Sequence, residues 1–418
     1  MNLPVISLCA LAIAVLVSFT AKINVGVLAI VLAWIVGVYF GGLPLSELLA
    51  GFPAQLFVML AGVTLLFTQA HLNGTLDRIA HHAVRSCRGN VGLIPIMFFF
   101  LASFLASIGP GSIAMAAIIG PMAMRVAGRA KISAFLMTIM VGNGANSGSL
   151  SPVAPTGIIV NGLLEKIGIT GVEWPNYIAV LLGHASVAFA GYFVFGGYRL
   201  LRRTFEEPVE DGANVDVGFR LQHWVTIGVI VALMIAVIFF GMNVGMTAFA
   251  GAVLLIILRC SGEGDPVKQV PWGPILMVCG VTILISLLEK TGGMDLFTAL
   301  LAKVSTQQSV TAMIAFVTGV ISVYSSTSGV VLPTFIPTIP GLAERLGGAD
   351  PLSIAWSMFV GAHLVDISPL STTGALCIAS APPTEDYRSL FNKLLAWGLS
   401  MSVVGAVVSY ICFGLLRP

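Results

Sequence analysis

Long, almost uncharged apolar runs recur along the whole chain, among them LAIAVLVSF, VLAIVLAWIVGVYF and VIVALMIAVIFF. Water inside a bilayer cannot satisfy backbone N–H and C=O groups, so such runs are stable there only as helices or closed barrels. A helix needs about 20 residues to cross the hydrocarbon. These runs are continuous and of that order, so the chain is expected to be an all-α polytopic membrane protein. Composition agrees: 57 % of the residues are hydrophobic and 9 % charged, where a soluble domain would carry roughly 25 % charge. The first apolar run lacks the basic n-region of a secretory signal and reads as the first span.

Several function classes are disfavoured at once. The six cysteines (Cys9, Cys87, Cys260, Cys279, Cys377 and Cys412) show no CxxC spacing and no His/Cys cluster, so they read as small buried residues. The net charge of +2 suggests no polyanionic partner such as nucleic acid. No Gly-rich lysine loop or dinucleotide fingerprint is present, so the chain by itself is not expected to use ATP.

The sequence repeats internally. GVTLLF at Gly62–Phe67 returns as GVTILI at Gly280–Ile285, and Gly74-Thr-Leu-Asp77 returns as Gly292-Gly-Met-Asp295 at the same offset. GNGANSGSLSPVAPTG, from Gly142, has a partner in GAHLVDISPLSTTG, from Gly361, with Ser-Pro and Thr-Gly matched in order. The expected halves are 1–200 and 221–418, joined by a polar linker at 201–220. Each half holds five spans and one interrupted apolar stretch, SFLASIGPGSIAMAAIIGP or VISVYSSTSGVVLPTFIPTIP. If each interrupted stretch is a re-entrant hairpin, each half crosses an odd number of times and the repeats are inverted. The positive-inside rule agrees: with the linker cytoplasmic, fifteen of the twenty Lys and Arg residues lie inside. The N terminus is then outside, and an inner (plasma) membrane location is expected.

Non-helical backbone at membrane depth survives only where protein buries it or where it lines a water-filled cavity. Four such breaks are expected: hairpin tips at 107–112 and 325–329, and broken spans at 143–156 and 363–373. Paired breaks in inverted repeats point to a transporter's midplane site. All basic residues fit loops or span ends, and only Asp366 among the acids falls inside a membrane segment. Hydroxyls, amides and helix N-termini without a basic residue suit a small carboxylate that arrives together with cations.

These residues resemble the ion transporter superfamily and its divalent anion:sodium symporters. KINVGVLAIVLAWIVGVYFGG (Lys22–Gly42), GVTLLFTQAHLNGTLDRIA and SLSPVAPTGIIVNGL look like the malonate/dicarboxylate carriers of the MatC type. The resemblance covers essentially the whole chain, with its specific motifs in the first half. It implies an elevator-type homodimer: scaffold spans at 1–72 and 221–290, and a moving body made of the hairpin and broken span at 91–165 and 309–381. The symporters carry a Ser-Asn-Thr motif at each hairpin tip, binding sodium and a substrate carboxylate. By position before Pro121 and Pro337, those tips fall on Gly111-Ser112-Ile113 and Thr327-Ser328-Gly329, with both asparagines absent.

Substrate contacts are accordingly expected from Ser112, Ser151, Thr156, Thr327, Ser328, Ser368, Thr372 and Thr373. Cation contacts are expected from Ser107, Asn143, Asn146, Ser149, Ser325, Ser326 and Asp366. Asp366 and His363 are also candidates for proton coupling, since an intramembrane acid is costly to keep. The bland readings stay beside these: Asp366 could cap a helix start, the tip hydroxyls could satisfy backbone, and Ser151-Pro152 and Ser368-Pro369 could mark helix re-entry. His184 reads as a hydrogen-bonded interior residue, and Asp77 and Asp295 as helix caps. The expected function is cation-coupled transport of malonate or a C4-dicarboxylate, with sodium favoured over protons and no other cofactor. A sodium/proton or oxyanion antiporter is the alternative. An intramembrane enzyme is a weak third, because Asp366 has no second membrane acid to pair with.

Overall fold

The computed structural model describes residues 2–20, 23–87, 89–204, 218–324, 326–379, 381 and 385–415. Most of the expected linker and Ser325 therefore lie outside the described residues. Among the described residues there is no named strand, only an isolated bridge between Asn90 and Thr204.

The first half runs α1 (Leu3–Thr20), α2 (Val25–Trp34, continuing as a π-helical turn to Phe40), α3 (Leu45–Leu49), α4 (Ala54–Leu72), α5 (Thr75–Arg85), α6 (Leu93–Ser107), α7 (Gly111–Ala130), α8 (Ala134–Ser147), α9 (Pro155–Lys166), α10 (Glu173–Val194) and α11 (Gly197–Leu200). The second half follows the same order with α12 (Leu221–Phe240), α13 (Val244–Ile257), α14 (Pro266–Gln269), α15 (Trp272–Thr291), α16 (Gly293–Lys303) and α17 (Val310–Tyr324). After a π-helical turn at Thr327–Val331 come α18 (Leu332–Phe335), a 3-10 turn at Ile336–Thr338, α19 (Ile339–Arg345), α20 (Pro351–Leu364), α21 (Thr372–Ala379) and α22 (Tyr387–Ser409). Among the described residues α4, α7, α10, α15 and α22 with its extension to Leu415 are long and apolar enough to cross a bilayer, and seven shorter apolar helices accompany them. Large apolar side chains such as Leu221, Phe239, Phe240 and Val194 are exposed on the outer surface, as a lipid-facing belt requires. The chain is a multi-pass membrane protein.

Local chemistry sets the helix starts. Asn24 and Asn243 hold corresponding places before α2 and α13: Asn24 Oδ1 accepts from the Gly26 amide at 2.9 Å, and Asn243 Oδ1 accepts from the Met246 amide at 3.1 Å. Each satisfies a first-turn donor that the helix leaves without a partner.

The halves interlock through their first helices. α2 packs on α15 of the other half, and α13 packs on α4. At these crossings backbone meets backbone. A Cβ on Gly280 would lie 2.1 Å from the Gly26 carbonyl oxygen, and one on Gly62 would lie 2.4 Å from that of Gly245. Without a hydrophobic driving force between helices in lipid, such close approach of small residues is what dispersion contacts need.

The two interrupted stretches differ. α7 is a continuous helix that carries Pro121 inside it. Its counterpart is divided into the π turn, α18, the 3-10 turn and α19. Pro333, Pro337 and Pro340 explain this, since each removes a backbone donor from the helical ladder. The breaks between α8 and α9, and between α20 and α21, are alike. A Cβ on Gly157 would meet the Ser151 carbonyl oxygen at 1.9 Å, and one on Gly374 would meet that of Ser368 at 2.0 Å. Glycine thus lets the re-entering helix close over the turn that precedes it.

One expectation is corrected here. Ser151-Pro152 and Ser368-Pro369 do not start helices. The chain re-enters at Pro155, with Ala154 as the cap residue and Pro155 at the first helical position, and at Thr372. Both Ser-Pro pairs lie in the non-helical turn, where the Ser151 carbonyl accepts from the Ala154 amide at 3.0 Å and Ser368 Oγ accepts from the Leu370 amide at 3.3 Å.

Candidate functional site

The second helices of the breaks cross between halves. α9 packs against α18 and the turns beside it, and α21 packs against α7. α18 is therefore covered by a helix from the first half, and α7 by one from the second. Where these elements converge lies a cavity lined by Ser112, Ile113, Thr156, Ser326, Thr327, Ser328, His363, Asp366, Ser371 and Thr373. Eight of these are residues singled out in the sequence: Ser112, Thr156, Ser326, Thr327, Ser328, His363, Asp366 and Thr373.

Three helices begin at the cavity: α7 at Gly111, α9 at Pro155 and α21 at Thr372. First-turn amides have no intrahelical acceptor, and each helix start carries roughly half a positive charge. Among the described residues no Lys or Arg lines the space. The positive potential comes from backbone dipoles alone, a setting that favours an anion.

The acceptors sit on one side. Asp366 lies in the turn after α20, and its Oδ1 accepts a hydrogen bond from Thr327 Oγ1 at 2.6 Å. Thr327 Oγ1 is also bonded to Ser322 Oγ, one turn back on α17. A hydroxyl has one proton. With the Asp366 carboxylate ionised, Thr327 gives that proton to it and Ser322 donates to Thr327, a chain of two hydroxyls ending on one charge. Ser371 Oγ donates to the backbone carbonyls of Asp366 and Ser368, the latter at 2.8 Å. It thereby fixes the turn that carries the carboxylate.

His363 is buried, and its Nδ1 lies 2.9 Å from the Phe359 carbonyl. A carbonyl only accepts, so Nδ1 bears the hydrogen; with the ring neutral, Nε2 is then an acceptor. His184 of α10 stands across from it, ring centroids 6.4 Å apart and the planes near perpendicular. Asn143 Nδ2 donates to the Ile139 carbonyl at 3.0 Å, which turns its Oδ1 toward His184 Nδ1 at 2.8 Å. His184 is the hydrogen-bonded interior residue that its sequence context suggests.

The other sequence candidates stand outside the lining. Ser107 donates to the Ser103 carbonyl at 2.6 Å and shares a 3.0 Å bond with the Tyr177 hydroxyl. Both polar groups of Asn143 are engaged as just described. Asn146 is fully buried, and neither its amide oxygen nor its nitrogen has a partner among the described residues. Ser149 Oγ donates to the Asn146 carbonyl at 2.7 Å. Ser151 and Ser368 are buried in their turns. The Thr372 side chain and Ser325 fall outside the described residues.

Sequence reasoning passed over Ser322 and Ser371. Ser371 was open to discovery, since it opens the run Ser371-Thr372-Thr373 beside a break. Ser322 carries no such signal, because it sits within the apolar helix VTAMIAFVTGVISVY. No group of three or more His, Cys, Asp or Glu side chains is placed to hold a metal ion among the described residues.

Comparison with known proteins agrees with this architecture. Residues 1–149 match the family described as the dicarboxylate carrier protein MatC N-terminus. Two proteins called uncharacterized transporters, Mb2703 of Mycobacterium bovis and Rv2684 of Mycobacterium tuberculosis, are each 21 % identical over 318 residues, covering 73 % of this chain and 72 % of theirs. The fold is similar to the crystal structure of the YdaH transporter of Alcanivorax borkumensis, with a TM-score of 0.61 and 16 % identity over 91 % of this chain and 90 % of that one. These likenesses point to a membrane transporter rather than an enzyme, with the match to the dicarboxylate carrier family confined to the first 149 residues.

Proposed function

We propose that the protein is a secondary active carrier of a small dicarboxylate, malonate or a C4 acid, coupled to a cation. The observation that carries this reading is a cavity to which both halves contribute, with helix starts and hydroxyls around it and, among the described residues, no basic side chain and Asp366 as its one carboxylate. An anionic solute beside an ionised carboxylate is repelled strongly where water is scarce. Entry of a cation with the substrate, or of a proton onto Asp366, removes that repulsion. Sodium is the favoured coupling ion, and the hydroxyl chain onto Asp366 gives the proton reading its own support.

In this reading the halves are inverted repeats. The scaffold is α1–α4 with α12–α15, and α6–α9 with α17–α21 form the body that carries the site across the membrane. Dimerisation through the scaffold holds that frame still. The skew of basic residues supports a cytoplasmic linker in an inner membrane, and the matched element order of the halves supports the repeats.

Uptake of labelled malonate and succinate into proteoliposomes, under an imposed sodium gradient, an imposed proton gradient, or neither, tests the proposal. Gradient-driven accumulation of either acid is expected. Failure of every dicarboxylate to accumulate or compete, with sodium/proton exchange in its place, would move the protein to the antiporter reading.

A further inference from the structure

The cavity separates its hydrogen-bonding groups in a way that specifies its solute more closely, and this inference rests on the dicarboxylate reading. Two protons are already committed: that of Thr327 to Asp366 at 2.6 Å, with the Ala362 carbonyl also in reach at 3.2 Å, and that of Ser371 to backbone carbonyls. The hydroxyls that line the space without a protein partner among the described residues are those of Ser112, Thr156, Ser328 and Thr373, two from each half; Ser326 Oγ accepts from the Gly329 amide at 3.1 Å and keeps its own proton uncommitted. Ser112 and Ser328 sit on the two hairpin tips, and Thr156 and Thr373 sit in the first turns of α9 and α21.

Donors are therefore distributed over both sides of the cavity, as two carboxylates at opposite ends of a solute require. Acceptors are not. Asp366 and His363 both belong to the second half, and Ser149 and Asn146 stand at their places in the first half, outside the cavity. His363 has its Nδ1–H fixed on the Phe359 carbonyl at 2.9 Å, so with the ring neutral Nε2 offers only a lone pair. No ion pair joins His363 to Asp366 among the described residues, and the one other titratable group facing its ring is His184, at 6.4 Å between centroids. A fully ionised, unsubstituted dicarboxylate carries acceptors alone. It satisfies these hydroxyls and leaves Nε2 facing a second acceptor or nothing, which costs affinity in a site of low dielectric.

We infer that the preferred solute is a dicarboxylate bearing one O–H donor, and that His363 selects for it by accepting that hydrogen at Nε2. The donor is a hydroxyl on the carbon chain or the proton of a half-ionised acid. Sites built to bond a substrate hydroxyl discriminate well against analogues that lack it, because a buried polar group is then left unpaired.

The test uses the full-length carrier in proteoliposomes and measures inhibition constants for matched pairs: hydroxymalonate against malonate, and malate against succinate. At pH 8, where every acid is fully ionised, the hydroxy acid is expected to inhibit labelled substrate uptake roughly tenfold better than its parent. In His363→Phe that ratio falls to about one, and in His363→Gln, whose amide oxygen again accepts, much of it returns. Because the readout is a ratio within one variant, a change in expression or overall rate does not mimic it. If instead the parent acid gains affinity as pH is lowered until it equals the hydroxy acid, the proton of the half-ionised form is the donor and the inference stands. Equal constants within each pair at every pH, or a hydroxyl preference that persists in His363→Phe, overturns it while dicarboxylate transport remains. Absence of inhibition by any dicarboxylate overturns the underlying function instead.

Discussion

Replacing Thr327 by valine removes one oxygen and almost no volume, from a side chain that is 4 % exposed. The oxygen lost is the donor 2.6 Å from Asp366 Oδ1, and it also receives Ser322 Oγ. A hydrogen bond to a charged group contributes about 1.5–3 kcal/mol. The ionised form of Asp366 loses that stabilisation in Thr327→Val, and its neutral form loses less. If the coupling cation binds beside ionised Asp366, its half-saturating concentration should rise by roughly ten- to a hundredfold. Substrate affinity measured at saturating cation should change by less than threefold. Initial uptake rates in proteoliposomes, titrated with cation at fixed substrate and with substrate at fixed cation, separate the two effects. Thr327→Ser keeps the hydroxyl and should restore most of the cation affinity. A Thr327→Val carrier with wild-type cation dependence would refute the argument, because it would mean that Asp366 does not depend on this donor.

Asp366→Asn removes the only carboxylate of the cavity and should alter cation dependence far more than substrate affinity; unchanged coupling would count against its role. Ser112→Ala and Ser328→Ala each delete one uncommitted donor and should weaken substrate binding by about 0.5–1.5 kcal/mol without loss of folded protein, so wild-type uptake kinetics in both would make the tips structural. Gly280→Ala places a Cβ 2.1 Å from the Gly26 carbonyl oxygen and should lower thermal stability in detergent strongly, by several degrees or more. Gly228→Ala, whose Cβ meets nothing within 4 Å, should leave the melting curve unchanged, and similar melting of the two variants would sink the packing argument.

Much of the architecture could be read before any coordinates. Apolar run length made the elements helical, and GVTLLF against GVTILI placed α4 and α15 in equivalent positions. The breaks expected at 143–156 and 363–373 are shorter than that: α8 runs on to Ser147 and α20 to Leu364, and the non-helical turns cover 148–154 and 365–371. Helix re-entry was misplaced. The Ser-Pro pairs look like caps in one dimension, yet folding the turn back on itself under Gly157 and Gly374 delays each helix start. The division of the second hairpin arm was written in Pro333, Pro337 and Pro340, and repeat symmetry obscured it.

By itself the sequence determined what is local or additive: apolar helices, their breaks, and Asp366 as an acid beside one of those breaks. Which hydroxyls share a space was decided only by tertiary packing. α9 closes over the second hairpin and α21 over the first, so Ser112 and Thr156 meet Ser328 and Thr373 although more than 150 residues separate the pairs. The same packing commits Thr327 to Asp366 and Asn143 to His184, leaving the first free for no solute and the second outside the cavity. Direction is the physical reason: a residue type supplies donors and acceptors, but only its neighbours in three dimensions determine which of them are already spent.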